Sequence, residues 1–314
     1  MNFDNTFSII LTITPLALGI VWKLSNGSSN TLKSIGLTVI GALAGGLVYM
    51  RSAFEIEPSI LFLASAVLLS GFCVIFCQED KQQTSAIYAS IMIILGLGLG
   101  ILLNQAIVSR IFLGGLLGYI AISQNSEQQN SFRTKIIFLH ITLAIIFSLG
   151  SVFMSDTLQI FASLFLAVTF LPLAPFHLPF LGTIKGAKVT LPSFWIVVWL
   201  IIGLSELNKL YSTLSTEMLF TLSLLALVSS LYASLAALGQ KFNRLFIASA
   251  TVAHVALIWG LLQVFPSFPK WGIPFGITLA FVMGGISLAF SFIRQRYGWK
   301  TLGKLPGLAS PMPR

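Results

Sequence analysis

The residues with the most chemical potential lie in one stretch, Leu171 to Leu200, reading LPLAPFHLPFLGTIKGAKVTLPSFWIVVWL. Pro172 and Pro175 stand where an apolar helix must break, because proline has no backbone N–H and clashes with the preceding turn. His177 follows directly, and Lys185 and Lys188 lie eight and eleven residues beyond it. Broken backbone beside titratable groups, at membrane depth or its edge, is how transporters build ion sites. An ordinary loop with two topology-setting lysines accounts for the same residues, and composition leaves both readings open. The ionisable residues inside apolar runs are Arg110, His140 and His254. Arg110 is four or five residues from the end of its run and is expected to snorkel to the surface. His254 lies near mid-run with Ser249 and Thr251, where a hydrogen-bonded structural histidine and a proton carrier are both open readings. Cys73 and Cys77 share a helix face without a histidine or carboxylate nearby, so they read as packing residues and no metal site is expected.

The elements that must position these groups are membrane helices. Of 314 residues, 56% are hydrophobic and 9% charged, against about 25% charged in a soluble domain. Eleven apolar segments can be drawn, at 6–23, 34–50, 59–77, 85–103, 106–123, 134–154, 157–174, 190–205, 216–238, 245–265 and 273–293. Each is long enough, or nearly so, to cross a hydrocarbon core of about 30 Å. The expected fold is an all-α polytopic transmembrane bundle with a broken seventh helix, forming one domain over 1–314. The N-terminus is not expected to be a cleavable signal, since Asp4 stands where a basic n-region belongs. Glycines in GALAGG at 41–46, LGLGLG at 95–100 and GGLLGY at 114–119 predict close helix packing.

Charge placement predicts orientation. With these segments, fourteen of the eighteen lysines and arginines fall on one side, leaving only Arg51, Arg110, Lys209 and Lys270 on the other. Positive residues concentrate in the cytoplasm, so the N-terminus is expected outside and the C-terminal tail inside. The net charge of +9 is therefore topological, and no nucleic-acid partner is implied.

Two motifs resemble the antiporter-like subunits of respiratory complex I and related Mrp-type antiporters and membrane hydrogenases. The nearest type is subunit N, the mitochondrial NADH dehydrogenase subunit 2 type. Pro175, Phe176 and His177 match the motif ending that family's broken seventh helix, with Gly186 and Ala187 following at the expected distance. Leu235–Leu238, Gln240, Arg244, Thr251 and His254 match the approach to its tenth helix. The pattern covers roughly residues 105–265. The resemblance implies other integral membrane subunits as partners, with lipid around them, in a proton-translocating complex of the NADH:quinone oxidoreductase type in a bacterial inner membrane or equivalent. It also implies closeness of the seventh and tenth helices, and the carbonyls left unpaired by the prolines need a polar partner, so the break at Phe170–Pro175 is expected beside the Ser249–His254 turn with a polar contact or bridging water between them.

The departures matter as much. The family positions for a fifth-helix glutamate, a seventh-helix lysine and an eighth-helix lysine correspond here to Phe112, Phe170 and Leu200. Gly182 stands near the usual aspartate, and the family's broken twelfth helix has no counterpart among the eleven segments. A relay across hydrocarbon needs titratable groups or ordered water at spaced stations, so the resemblance implies a degenerate subunit with a structural or partial proton-path role. A free-standing secondary ion or proton transporter is the alternative. The chain has no HExxH, nucleophile elbow or GxGxxG, so no catalytic residues and no cofactor are expected of it. The remaining carboxylates, Glu206 included, are read as lying in or near loops.

Overall fold

The computed structural model describes residues 3–24, 28–54, 57–78, 84–124, 132–265, 268–298 and 301. Lys81, Lys300, Lys304 and Arg314, and the side chain of Arg133, fall outside them. The chain runs α1 (Phe3–Leu24), α2 (Ser29–Phe54), α3 (Pro58–Phe76), α4 (Thr84–Leu103), α5 (Ala106–Gln124), α6 (Phe132–Gly150), α7 (Asp156–Phe170), α8 (Leu178–Gly186), α9 (Leu191–Leu210), α10 (Thr216–Leu238), α11 (Asn243–Leu261) and α12 (Phe268–Tyr297). The fold is an all-α polytopic bundle. Each of the eleven expected segments corresponds to one helix, and α8 is the short far half of the broken seventh. Nine of the described helices are long and apolar enough to cross a membrane by themselves.

The break explains α8. Fifteen residues make α7 about 22 Å long, which cannot cross the hydrocarbon alone. The nine residues of α8 carry the chain on past the break.

Burial follows the sequence. In α9, LPSFWIVVWLIIGLSELNKL, 18 of 20 residues are buried, as expected of a helix apolar on every side. It is the axis of the bundle, touching α3, α4, α7, α8 and α12. Helix α4 packs along α1 through Gly19 and Gly96, where a Cβ would come within 2.8 Å of Ala89 O and Leu16 N. The expected close packing at 41–46 holds only at its end. Gly46 meets Leu11, whereas Gly41 and Gly45 face open space because α2 lies at the rim of the bundle. Cys73 is likewise exposed rather than a packing residue.

The first four helices alternate in direction. Ser8, near the start of α1, bonds Asn104 at the end of α4, Oγ to Oδ1, at 3.2 Å. At the opposite face Lys33 Nζ donates to Gln78 O at 3.1 Å, joining the start of α2 to the end of α3. We call these the first and second faces.

Candidate functional site

The helix break at residues 171–177 comes first. Its last helical bond is Leu171 N to Ala167 O at 2.7 Å, after which the backbone leaves helical geometry and Ala174–Pro175 is cis. Carbonyls one turn before a proline lose their usual donors and need others in a membrane interior. Two indoles supply them. Trp199 Nε1 on α9 donates to Thr169 O at 2.9 Å, and Trp259 Nε1 on α11 donates to Leu171 O at 3.0 Å. Beyond the break, Ala174 N donates to Ser229 Oγ on α10 at 2.8 Å. Gly203 lets α9 approach this closely, since a Cβ there would stand 2.7 Å from Leu171 N.

Helix α11 therefore does lie beside the break, but not through the turn expected from its sequence. Thr251 is buried and donates to Ile247 O in its own helix at 2.7 Å; Ser249 is buried too. His254 is exposed on the bundle surface, its Nδ1 2.7 Å from Ala250 O one turn back. The expectation that it faces a polar interior is thus corrected. It lies five residues before Trp259, and five residues carry a helix about 500°, well off the face that the indole occupies.

His140 takes the interior place instead. Only 9% exposed, it bonds Thr169 Oγ1 through Nε2 at 2.9 Å. The Thr169 hydroxyl already donates to Phe165 O at 2.8 Å, so His140 is the donor and carries its proton on Nε2. Phe165 and Phe176 enclose the ring, with centroids 5.0 and 5.8 Å away. His177, also buried, lies edge-on to Tyr232 at 5.5 Å.

Two of the three positions that the resemblance aligns with titratable residues are sealed in apolar packing, and Phe112 is partly buried. Phe170 and Leu200 are fully buried, and Phe170 sits 5.1 Å from Trp199 in a cluster that includes Phe180 and Trp195. Phe112 lies against Gly100 of α4, where any side chain would collide with its ring. At Gly182 a Cβ would come within 3.0 Å of Ile137, so a carboxylate does not fit without displacement.

Toward the first face, charge appears where none was expected. Glu206 is 1% exposed inside α9 and pairs with Arg110 of α5. Lys209 Nζ reaches its other oxygen at 3.0 Å, and Arg110 Nη2 donates to Ser163 Oγ on α7 at 3.2 Å. Arg110 therefore does not snorkel; a buried carboxylate holds it inward. The expected loop position of Glu206 is corrected as well, because α9 continues five residues beyond the segment drawn at 190–205. No sequence motif flags the two indoles, but a buried indole N–H needs an acceptor just as a broken helix needs donors.

At the second face Arg244 closes the end of α8. Its guanidinium donates to Lys185 O at 3.4 Å, to Ala187 O, and to Val189 O at 3.3 Å. Val189 has φ of 43°, a conformation a β-branched residue rarely adopts, and Arg244 binds its carbonyl. Lys185 and Lys188 are exposed beside it, at the mouth of a cavity. Among the described residues no cluster of three or more histidine, cysteine or acidic side chains could hold a metal.

No known family profile matches the sequence, and no curated protein does. Solved structures do. A chain of respiratory complex I from Thermus thermophilus, solved with bound NADH, aligns with TM-score 0.75 and 14% identity over 96% of this chain and 74% of its own. A chain of the Mrp complex from Dietzia sp. DQ12-45-1b gives TM-score 0.75 and 14% identity, over 98% and 68% respectively. A chain of the membrane-bound sulfane sulfur reductase, an archaeal respiratory membrane complex, gives TM-score 0.71 and 15% identity, over 97% of this chain and 59% of its own. Identity this low shows the fold alone. It is the antiporter-like membrane fold to which the Pro-Phe-His motif pointed.

Proposed function

We propose that this chain is an integral membrane subunit of a multi-subunit, energy-converting complex of the NADH:quinone oxidoreductase type, holding neighbouring subunits in place without a complete proton path of its own. Any coupling to electron transport or quinone would then reside in partner chains. The observation that carries the reading is the packing of Phe170 and Leu200, both fully buried among apolar and aromatic side chains. Glu206 lies six residues, about 9 Å of helix, from Leu200, and the intervening residues of α9 are buried and mostly aliphatic. A proton would have to cross that layer without a titratable group. Membership of a larger assembly is supported by the three complexes whose chains share the fold.

Reconstitution tests the reading. The purified chain in liposomes should show no proton or sodium flux above protein-free vesicles. Flux that depends on His140 or Glu206 would overturn the reading and favour the secondary transporter.

The proposed orientation puts the first face outside and the second face, with most of the basic residues, in the cytoplasm. In a background with Cys73 and Cys77 replaced by alanine, single cysteines at Ser28 and Thr301 should resist a membrane-impermeant thiol reagent in intact cells. Labelling of both from outside would reverse it.

A further inference from the structure

A cavity of about 420 Å³ opens at the second face between the α8–α9 loop, the start of α11 and the end of α12. That volume is within the range of small-molecule sites. Among the described residues four cationic side chains line it, Lys185, Lys188, Arg244 and Arg294, and no carboxylate does. Asn243 lies in its wall, 5% exposed, with Oδ1 lacking any hydrogen-bond partner. Asn243 is also the first residue of α11, whose N-terminus has no side-chain cap, so backbone N–H groups and the positive end of the helix dipole face the same region. The remaining wall is mostly apolar, including Phe242, which is 54% exposed, with Leu245 and Phe290, and carries the hydroxyls of Ser287 and Ser291.

We propose that this cavity binds the phosphate headgroup of an anionic membrane lipid. The phosphodiester would answer the cationic wall and the helix N-terminus, as phosphates do at such ends. A headgroup hydroxyl, as in phosphatidylglycerol, would donate to Asn243 Oδ1. The acyl chains would leave over Phe242 and Phe290, toward the hydrocarbon side, which a free phosphate has no use for. Basic pockets between membrane helices near one interface suit such headgroups.

The test is native mass spectrometry of the full chain in detergent, titrated with dioctanoyl-phosphatidylglycerol, with dioctanoyl-phosphatidylcholine, and with inorganic phosphate as competitor. The anionic lipid should bind first and more tightly than the zwitterionic one. Lys188→Gln with Arg294→Gln should weaken it about 30-fold, at roughly a factor of five per basic side chain. Lys33→Gln, a basic site on the same face but outside the cavity, should leave binding unchanged. If the double variant fails to fold, Lys188→Gln alone, in an exposed loop, should show the about five-fold loss. Equal binding of the two lipids, or variants that bind like the parent, would overturn the site. Displacement of the lipid by inorganic phosphate at matching concentration would overturn the lipid assignment in favour of a free phosphate.

Discussion

At the end of α7 the carbonyls of Thr169 and Leu171, deprived of helical partners, are met by neutral donors, the indoles of Trp199 and Trp259. Toward the first face, by contrast, a guanidinium and a carboxylate are buried against each other, with Lys209 at the rim. The break has the backbone geometry of an ion site without the charge; the Arg110–Glu206 pair has the charge without broken backbone. Their separation is what the proposed structural role rests on: packing residues bring N–H groups to the broken helix without bringing a charge pair.

The largest effect should come from unbalancing the charged region. Glu206→Leu leaves Arg110, whose side chain is 13% exposed, without its carboxylate, and should cost about 3–5 kcal/mol. Replacing both partners, Arg110→Met with Glu206→Met, should be far milder and within about 1 kcal/mol of the parent, because the one cation left over, Lys209, is 46% exposed and no buried charge stays uncompensated. Detergent-denaturant unfolding of the parent and these two variants measures the difference. Equal losses in the single and double variants would mean that the pair contributes shape rather than charge balance.

Charge can also be moved into the dry region. Phe170→Lys restores the residue type the family resemblance implies there, among Trp199 and the rest of the aromatic cluster. It should cost about 3 kcal/mol as a cation with no partner at membrane depth, and should not produce proton flux in liposomes. Flux in that variant would show that one missing base was the whole defect.

Much of this was legible in the sequence, for a physical reason. Runs such as 85–103 and 216–238 are apolar over a full membrane thickness, and Pro172 and Pro175 cannot continue a helix, so helix count and break follow directly. Which face of a helix looks inward does not follow. In a membrane the outside is as apolar as the core, so the pattern around His254 carried no signal that α11 turns that residue outward and Trp259 inward. Glu206 was missed by a boundary drawn at 205, and Arg110 with it, since an arginine near a helix end has two places to go. Only the opposite charge on a helix 96 residues away decides between them.

The break itself supports a smaller prediction. Trp259→Phe keeps the aromatic volume but leaves Leu171 O without its donor, and should cost about 1–3 kcal/mol. Trp199→Phe should act alike through Thr169 O. Trp271→Phe, whose indole reaches only an exposed Phe265 O at 3.3 Å, should change stability by less than about 0.5 kcal/mol. If all three variants behave alike, the indole N–H groups are not what makes the break tolerable.

The smallest effect is expected at His254, which sequence reasoning placed among the most consequential residues. Had it faced the break, His254→Leu would have left a buried group unpaired, at about 1–3 kcal/mol. It is exposed, and its Nδ1 contact is to its own helix at Ala250 O. A leucine there exchanges a polar ring for an apolar side chain on a surface facing apolar surroundings, so the isolated chain should unfold within about 0.5 kcal/mol of the parent. A loss above 1 kcal/mol in the isolated chain would restore His254 to the interior and dissolve the contrast between a neutral break and a charged end. An unchanged isolated chain that separates from co-purifying subunits when His254 becomes leucine would instead place this histidine at a subunit interface, where its exposed face has the partner that the interior denies it.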